Sequence, residues 1–117
     1  MNILEFFRKV GKVFRMNSLL SKETVANRLK SEEGISYTEF SYSLIQAYDF
    51  YILNKNYGCI LQFGGSDQWG NITNGCDLVK KISGGENEVY GITMPLLVEK
   101  NGKKFGKSEG NALFLNQ

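Results

Sequence analysis

Three groups of residues in this 117-residue chain carry side chains and spacing suited to chemistry. The first is Tyr42, Gln46 and Asp49, spaced i, i+4, i+7 inside "FSYSLIQAYDF". At about 100° per residue on a helix, the three fall within about 60° of one another. On spacing alone, a hydroxyl, an amide and a carboxylate on one stripe read first as a solvated face, with a polar pocket as the other reading. Phe50 and Leu53 lie on or near that stripe, while Phe40, Leu44, Tyr48 and Tyr51 lie roughly opposite. The helix is therefore apolar on most sides, which predicts burial. A buried stripe must pair its polar groups, and an ammonium group or a phenol proton would do so.

The second group lies in "LQFGGSDQWGNITNG", Leu61 to Gly75. Gly64-Gly65 follows apolar, strand-like residues, so a ligand could approach the backbone without meeting a Cβ. A helix starting just beyond would aim free N–H groups at the same place. Asp67 could accept two hydroxyl hydrogen bonds, as a ribose requires, and Gln62 and Gln68 offer both donors and acceptors. The other reading of the stretch is a glycine turn with Ser66 or Asp67 as N-cap. The third group is "GKKFGKSEG", Gly102 to Gly110. It misses the phosphate-loop pattern G-x-x-x-x-G-K-[ST] by one residue and lacks the required strand-loop-helix setting. Lys104 and Lys107 on a glycine-containing loop could still close over phosphates and neutralise developing charge. A solvated basic loop is the alternative.

These groups need elements to position them. Ile3, Phe6, Phe7, Val10 and Phe14 predict a first amphipathic helix from Ile3 to Phe14. A second helix is expected from Ser21 to Lys30, with Ser21 as its cap and Val25, Ala26 and Leu29 as its apolar stripe. "SEEGIS" is a connector broken at Gly34. The third and longest helix spans about Thr38 to Asn54. Cys59 to Phe63 reads as a strand, and Gln68 to Ile82 as a fourth helix with Trp69, Ile72, Cys76, Val79 and Ile82 on one face. "SGGENE" is a turn, and Val89 to Val98 a second strand interrupted by Pro95. A strand, a helix and a strand in succession predict a βαβ unit and a parallel sheet.

Composition narrows the chemistry. Hydrophobic content of 42% and charged content of 22% fit one ordinary globular domain. A net charge of +2 does not by itself argue for nucleic-acid binding. No apolar run approaches the ~20 residues of a membrane span, and "MNILEFFRKVGK" is not a secretory signal. Cys59 and Cys76 lack metal-ligand spacing and read as reduced packing residues. The chain contains no histidine, which removes Ser-His-Asp and Cys-His catalysis and most zinc sites.

Taken together, "FSYSLIQAYDF", "LQFGGSDQWGNI" and "KFGKS" resemble the bacterial-type tyrosyl-tRNA synthetases, class I aminoacyl-tRNA synthetases of bacteria and organelles. "KFGKS" is similar to the KMSKS signature of the class, and "EEGISYTEF" fits as well. The resemblance runs from the first helix to the loop after "KFGKS". It implies an α/β fold: a partial Rossmann-like nucleotide-binding domain, helix-rich with a few parallel strands. It implies that Tyr42 and Gln46 bind the amino group of a substrate tyrosine and that Asp49 accepts from its phenol. Gln62 and Gln68 complete the tyrosine site, Gln68 near the carboxylate, and Gly65 and Asp67 hold the ATP ribose. Lys104, Lys107 and Ser108 form a loop that stabilises departing pyrophosphate. Tyrosine, ATP with Mg2+, and tRNA(Tyr) are the implied substrates, with no prosthetic group and no membrane partner. The implied setting is a bacterial cytoplasm, or a mitochondrion or plastid-type organelle.

The family's histidine-bearing HIGH-type signature cannot be present in a chain without histidine. The expectation is therefore the second half of a catalytic domain, without an anticodon-binding domain and inactive alone. Residues 1–36 would be a helical connecting region and 37–98 the second half of the Rossmann-like fold. Residues 99–117 would hold the KMSKS-type loop and the start of the next segment. The first two helices and Tyr37 are the candidate homodimer contact. Two rivals stand beside this: a non-catalytic synthetase-like module that binds RNA or a partner, and a tryptophanyl enzyme.

Overall fold

A computed structural model describes residues 1–98. Helix α1, Ile3–Lys9, starts where the Asn2 side chain accepts from the Glu5 backbone N–H at 2.9 Å. It is shorter than its apolar pattern predicts. Val10 turns into the core, 1% exposed, and Gly11–Val13 continue as a 3-10 turn. Phe6 meets Tyr48 edge-on, ring centroids 5.8 Å apart. Helix α2, Met16–Leu20, is an element the sequence did not announce, and it buries Leu19. Ser21 closes it, donating its hydroxyl to the Ser18 carbonyl, so the expected cap of the next helix belongs to the end of the previous one. Helix α3, Glu23–Leu29, follows Lys22, which makes no side-chain cap. Instead the Lys22 ammonium donates to the Thr73 hydroxyl at 3.0 Å.

Helix α4, Tyr37–Tyr57, begins one residue earlier than predicted because the Ser36 hydroxyl accepts from the Glu39 N–H. It ends three residues later than predicted. Gly58, at φ 67° and ψ 22°, takes the left-handed conformation and donates back to the Asn54 carbonyl. Leu44, Ala47, Phe50 and Asn54 form its buried face, which packs on helix α5, Trp69–Ile82. Gly75 makes close approach possible there: a Cβ on it would stand 3.0 Å from Phe50 Cδ1. On α5 the buried residues are Ile72, Asn74, Gly75, Leu78 and Val79. Ile72 and Val79 follow the predicted stripe, but Trp69, at its outer end, is 55% exposed.

Strand β1, Leu61–Gly65, runs parallel to β2, Tyr90–Met94, with Leu61 opposite Tyr90 and Gly65 opposite Met94. The expected βαβ unit is present, with α5 as the crossover. β1 starts two residues later than predicted and takes in both glycines, while β2 stops at Pro95, where a ladder donor is missing. One sheet face packs on α5, at Gly91 so closely that any side chain there would collide with Ile72. On the other face Leu61, Phe63, Tyr90, Ile92 and Met94 are exposed.

Candidate functional site

The site is built at the carboxyl end of β1, where an open α/β sheet presents its ligand position. β1 passes directly into a 3-10 turn, Ser66–Gln68, and then into α5. Gln68, and not Ser66 or Asp67, stands at the N-cap of α5, and its side chain makes no capping bond. The glycine pair shapes the turn. A Cβ on Gly64 would lie 3.1 Å from Gln68 Cβ. A Cβ on Gly65 would lie 2.6 Å from Leu96 Cδ2 and 2.7 Å from Asp67 Oδ1. Gly65 thus leaves room over the strand end for both the Asp67 carboxylate and the Leu96 side chain.

A cleft of about 520 Å³ opens between α3, the first turns of α4 and this β1–α5 turn. Tyr42, Asp67 and Gln68, singled out from separate stretches of sequence, line it together. Asn71 lines it too, and its amide Nδ2–H donates to Gln68 Oε1 at 3.2 Å. At the rim, Arg28 of α3 and Glu39 of α4 form an ion pair at 3.0 Å. Asn71, Arg28 and Glu39 are not among the residues that sequence reasoning selects. The Ser36-x-x-Glu39 capping pattern and the i, i+3 spacing of Gln68 and Asn71 are the available signals.

The remaining sequence-predicted residues lie outside that cleft. Gln46 is half-buried and Asp49 exposed, further along the same face of α4. The expected burial of the polar stripe does not hold: Tyr42 is 59% exposed and Leu53 45%. The reason is geometric. α5 takes up the Leu44–Ala47–Phe50–Asn54 face and α1 meets the Tyr48 side, while the Tyr42 end of the stripe opens on the cleft towards α3. Gln62 points inward from β1, its Oε1 3.4 Å from where a Gly75 Cβ would stand. That oxygen is buried with no hydrogen-bond partner among the described residues. Lys104, Lys107 and Ser108 lie outside the described residues.

Several groups with shifted acidity lie away from the cleft. Burial, reinforced by Asp77, pushes the Cys76 thiol up. The Tyr90 phenol is also raised, chiefly because it donates to the Glu88 carboxylate at 3.0 Å. Lys9 beside Glu5 holds that carboxyl below its usual range. Both cysteines are free thiols.

The chain matches known proteins along its whole length. The family model described as "tRNA synthetases class I (W and Y)" covers residues 1–117. A tyrosine–tRNA ligase of Lactobacillus delbrueckii is 53% identical over 116 residues, 99% of this chain and 27% of that protein. One of Escherichia coli K12 is 54% identical over 117 residues, with the same coverage. The chain therefore spans about a quarter of the length of these relatives. Among solved structures, a C-terminally truncated mitochondrial tyrosyl-tRNA synthetase of Coccidioides posadasii superposes with a TM-score of 0.76 at 34% identity, over 89% of this chain and 32% of that one. Its counterpart from Aspergillus nidulans gives a TM-score of 0.73 at 38% identity, over 93% and 34%. The chain belongs to the class I tRNA synthetase family that comprises the tryptophan and tyrosine enzymes.

Proposed function

We propose that this protein acts in ATP-dependent ligation of tyrosine to tRNA(Tyr), with this chain supplying one part of the catalytic site. The observation that carries the reading is the meeting of Tyr42, Asp67 and Gln68 in one cleft beyond the carboxyl end of a parallel strand. The identity of the relatives favours tyrosine over tryptophan.

In the first step a carboxylate oxygen of tyrosine attacks the α-phosphorus of ATP. The bond to the bridging oxygen breaks, and pyrophosphate leaves with the electron pair. The product is tyrosyl-adenylate. No general base is needed, because an amino-acid carboxylate is already ionised at neutral pH. Rate comes from positioning and charge stabilisation. Tyr42 and Gln46 hold the ammonium group, Asp49 accepts from the phenol, and Gln62 and Gln68 complete the tyrosine site. Gly65 and Asp67 hold the ribose, while Lys104, Lys107 and Ser108 stabilise the departing pyrophosphate. ATP brings Mg2+ as part of the substrate. In the second step a ribose hydroxyl at the tRNA terminus attacks the carbonyl carbon, the bond from that carbon to the phosphate oxygen breaks, and AMP leaves with the electron pair as the hydroxyl gives up its proton to the departing phosphate or to water.

A second copy of the chain is the proposed cover for an apolar groove of about 380 Å³ lined by Ile3, Phe7, Tyr37 and Ile45. All four are exposed, Tyr37 to 68%. Sedimentation of the full gene product as a monomer would refute this. The bacterial and mitochondrial relatives favour a bacterial cytoplasm, or a mitochondrion or plastid, as the setting. Among the described residues no helix is long and apolar enough to cross a membrane.

The test is tyrosine-dependent exchange of labelled pyrophosphate into ATP. The full gene product exchanges with tyrosine and not with tryptophan, and the 117-residue chain alone does not turn over. Absence of exchange in the full gene product overturns the proposal. Sustained exchange by the chain alone overturns its division of the site.

A further inference from the structure

We propose that Asn71 is a positioning residue that sets the direction of the Gln68 amide, so that Gln68 presents its N–H2 group, and not its oxygen, to the carboxylate of the bound amino acid. The inference rests on the reading that Gln68 lies beside that carboxylate.

A glutamine amide has one accepting and one donating end, related by a half-turn about its last bond. A carboxylate can be held only by the donating end; the other end repels it. Gln68 stands at the N-cap of α5 without capping the helix, so the backbone does not choose between the two. Asn71 does. One turn further along, it donates its Nδ2–H to Gln68 Oε1 at 3.2 Å, in a partly buried setting. With the oxygen occupied, the two Nε2 hydrogens remain for a ligand. Gln68 and Asn71 both line the cleft that holds Tyr42 and Asp67. Gly64 keeps the arrangement compact, because a Cβ on it would press on Gln68 Cβ at 3.1 Å and on Ile72 Cδ1 at 3.2 Å. Gln68 therefore has little room to move as a whole, and rotation of its amide is the freedom Asn71 removes. The consequence is specific to anions: a ligand with an alcohol in place of the carboxylate can use either end of the amide.

The experiment measures dissociation constants of tyrosine and of tyrosinol, in which a hydroxymethyl group replaces the carboxylate, on the full gene product. Asn71→Leu removes the donor at similar size. It weakens tyrosine about fivefold, the size of one lost orienting hydrogen bond, and leaves tyrosinol unchanged. Asn71→Asp, which can accept but not donate, shifts the same ratio further and serves as a second, polar variant. In a Gln68→Leu background, Asn71→Leu causes no further change in the ratio, because the residue acts through Gln68. Equal weakening of both ligands, an unchanged ratio, or a shift that persists without Gln68 would each overturn the inference and leave the proposed function standing. A wild-type protein that fails to bind tyrosine would overturn both.

Discussion

Asn87 donates its side-chain Nδ2–H to Oδ1 of Asn54 at 3.0 Å, across 33 residues of sequence. Asn54 in turn donates to the Cys59 carbonyl at 3.0 Å, and the Ser83 hydroxyl accepts from the Asn87 backbone N–H. The pair thus joins three segments: the last turn of α4, the approach to β1, and the loop that returns from α5 to β2. Asn54 is 8% exposed, so its amide has no solvent to fall back on. Asn54→Ala strands two partners and is expected to cost about 2 kcal/mol, the sum of two ordinary hydrogen bonds. Asn87→Ala, at an exposed position, is expected to cost about 1 kcal/mol. Denaturant midpoints of the singles and the double variant check this, and strict additivity would show that the two residues are not coupled.

Gly65→Ala tests the strand end. Its new methyl would fall within 2.7 Å of both the Leu96 side chain and the Asp67 carboxylate, distances that force one of them to move. The expected outcome is a KM for ATP raised about tenfold in the full gene product, with kcat less affected, because Asp67 is displaced from its proposed ribose position. Leu96→Ala added to Gly65→Ala relieves the steric load on that side and restores stability. It does not restore the ATP KM, since the overlap with Asp67 remains. Full recovery of KM in the double variant would show that Leu96, not Asp67, carries the effect.

Gly75→Ala tests the approach of the two long helices. Alanine in mid-helix gains about 1 kcal/mol in propensity over glycine. Against that, the methyl would meet Phe50 at 3.0 Å, and Phe50 is 2% exposed with nowhere to go. Overpacking of this kind costs about 1–3 kcal/mol, so net destabilisation is expected. Trimming the obstacle with Phe50→Leu in the same chain should recover part of it. A thermal midpoint for Gly75→Ala at or above that of the wild type would mean that the helices separate without cost.

The α5 crossover and the parallel pairing were legible because two signals agreed: a 3.6-residue apolar stripe and glycines bounding the flanking runs. α4 was legible in existence and in the angular grouping of Tyr42, Gln46 and Asp49. Its burial was not, since a helix that is apolar nearly all round does not say which face meets a neighbour. α2 escapes a sequence reading because "MNSLL" is only five residues long, too short for periodicity to register. The first helix reads too long because Phe14 keeps the stripe in phase even though the chain leaves the helix before Val10. Contacts such as Asn54–Asn87 and Lys22–Thr73 carry no local pattern, as they depend on how the elements come to rest against one another.

The pH response of the fold should pass through Cys76. Burial and the neighbouring Asp77 raise its thiol above its ordinary value of 9.0. A raised folded-state pKa means the native chain holds the proton more tightly than the unfolded chain does. Its contribution to stability is therefore complete below the unfolded value and is lost as pH rises through the folded one. Tyr90 is raised as well and acts in the same direction at higher pH. Unfolding midpoints are expected to fall as the pH rises above about 9, and Cys76→Ser should remove part of that slope. An identical slope in the variant would assign the whole effect to other groups.

Asp49 provides the sharpest test of the proposed amino-acid site. A site that supplies a carboxylate to a phenol leaves that carboxylate without its partner when phenylalanine binds, a rule for which tyrosyl-tRNA synthetase is itself the standard case. Asp49 lies on the same α4 face as Tyr42, nearly two turns further on, a distance of about 10 Å along the helix axis. That separation suits a ligand whose ammonium group sits near Tyr42 and whose ring runs parallel to α4. Asp49→Ala removes the acceptor, so tyrosine loses its phenol contact while phenylalanine loses only an unfavourable neighbour. The ratio of kcat/KM for tyrosine over phenylalanine in pyrophosphate exchange should fall steeply, mostly through weaker activation of tyrosine. Tyr42→Phe is the informative contrast. It removes a hydroxyl proposed to serve the ammonium end, which both amino acids share, so both should weaken together by about fivefold with the ratio preserved. If Asp49→Ala left the ratio unchanged, or Tyr42→Phe altered it as much, the proposed orientation of the amino acid along α4 would be wrong.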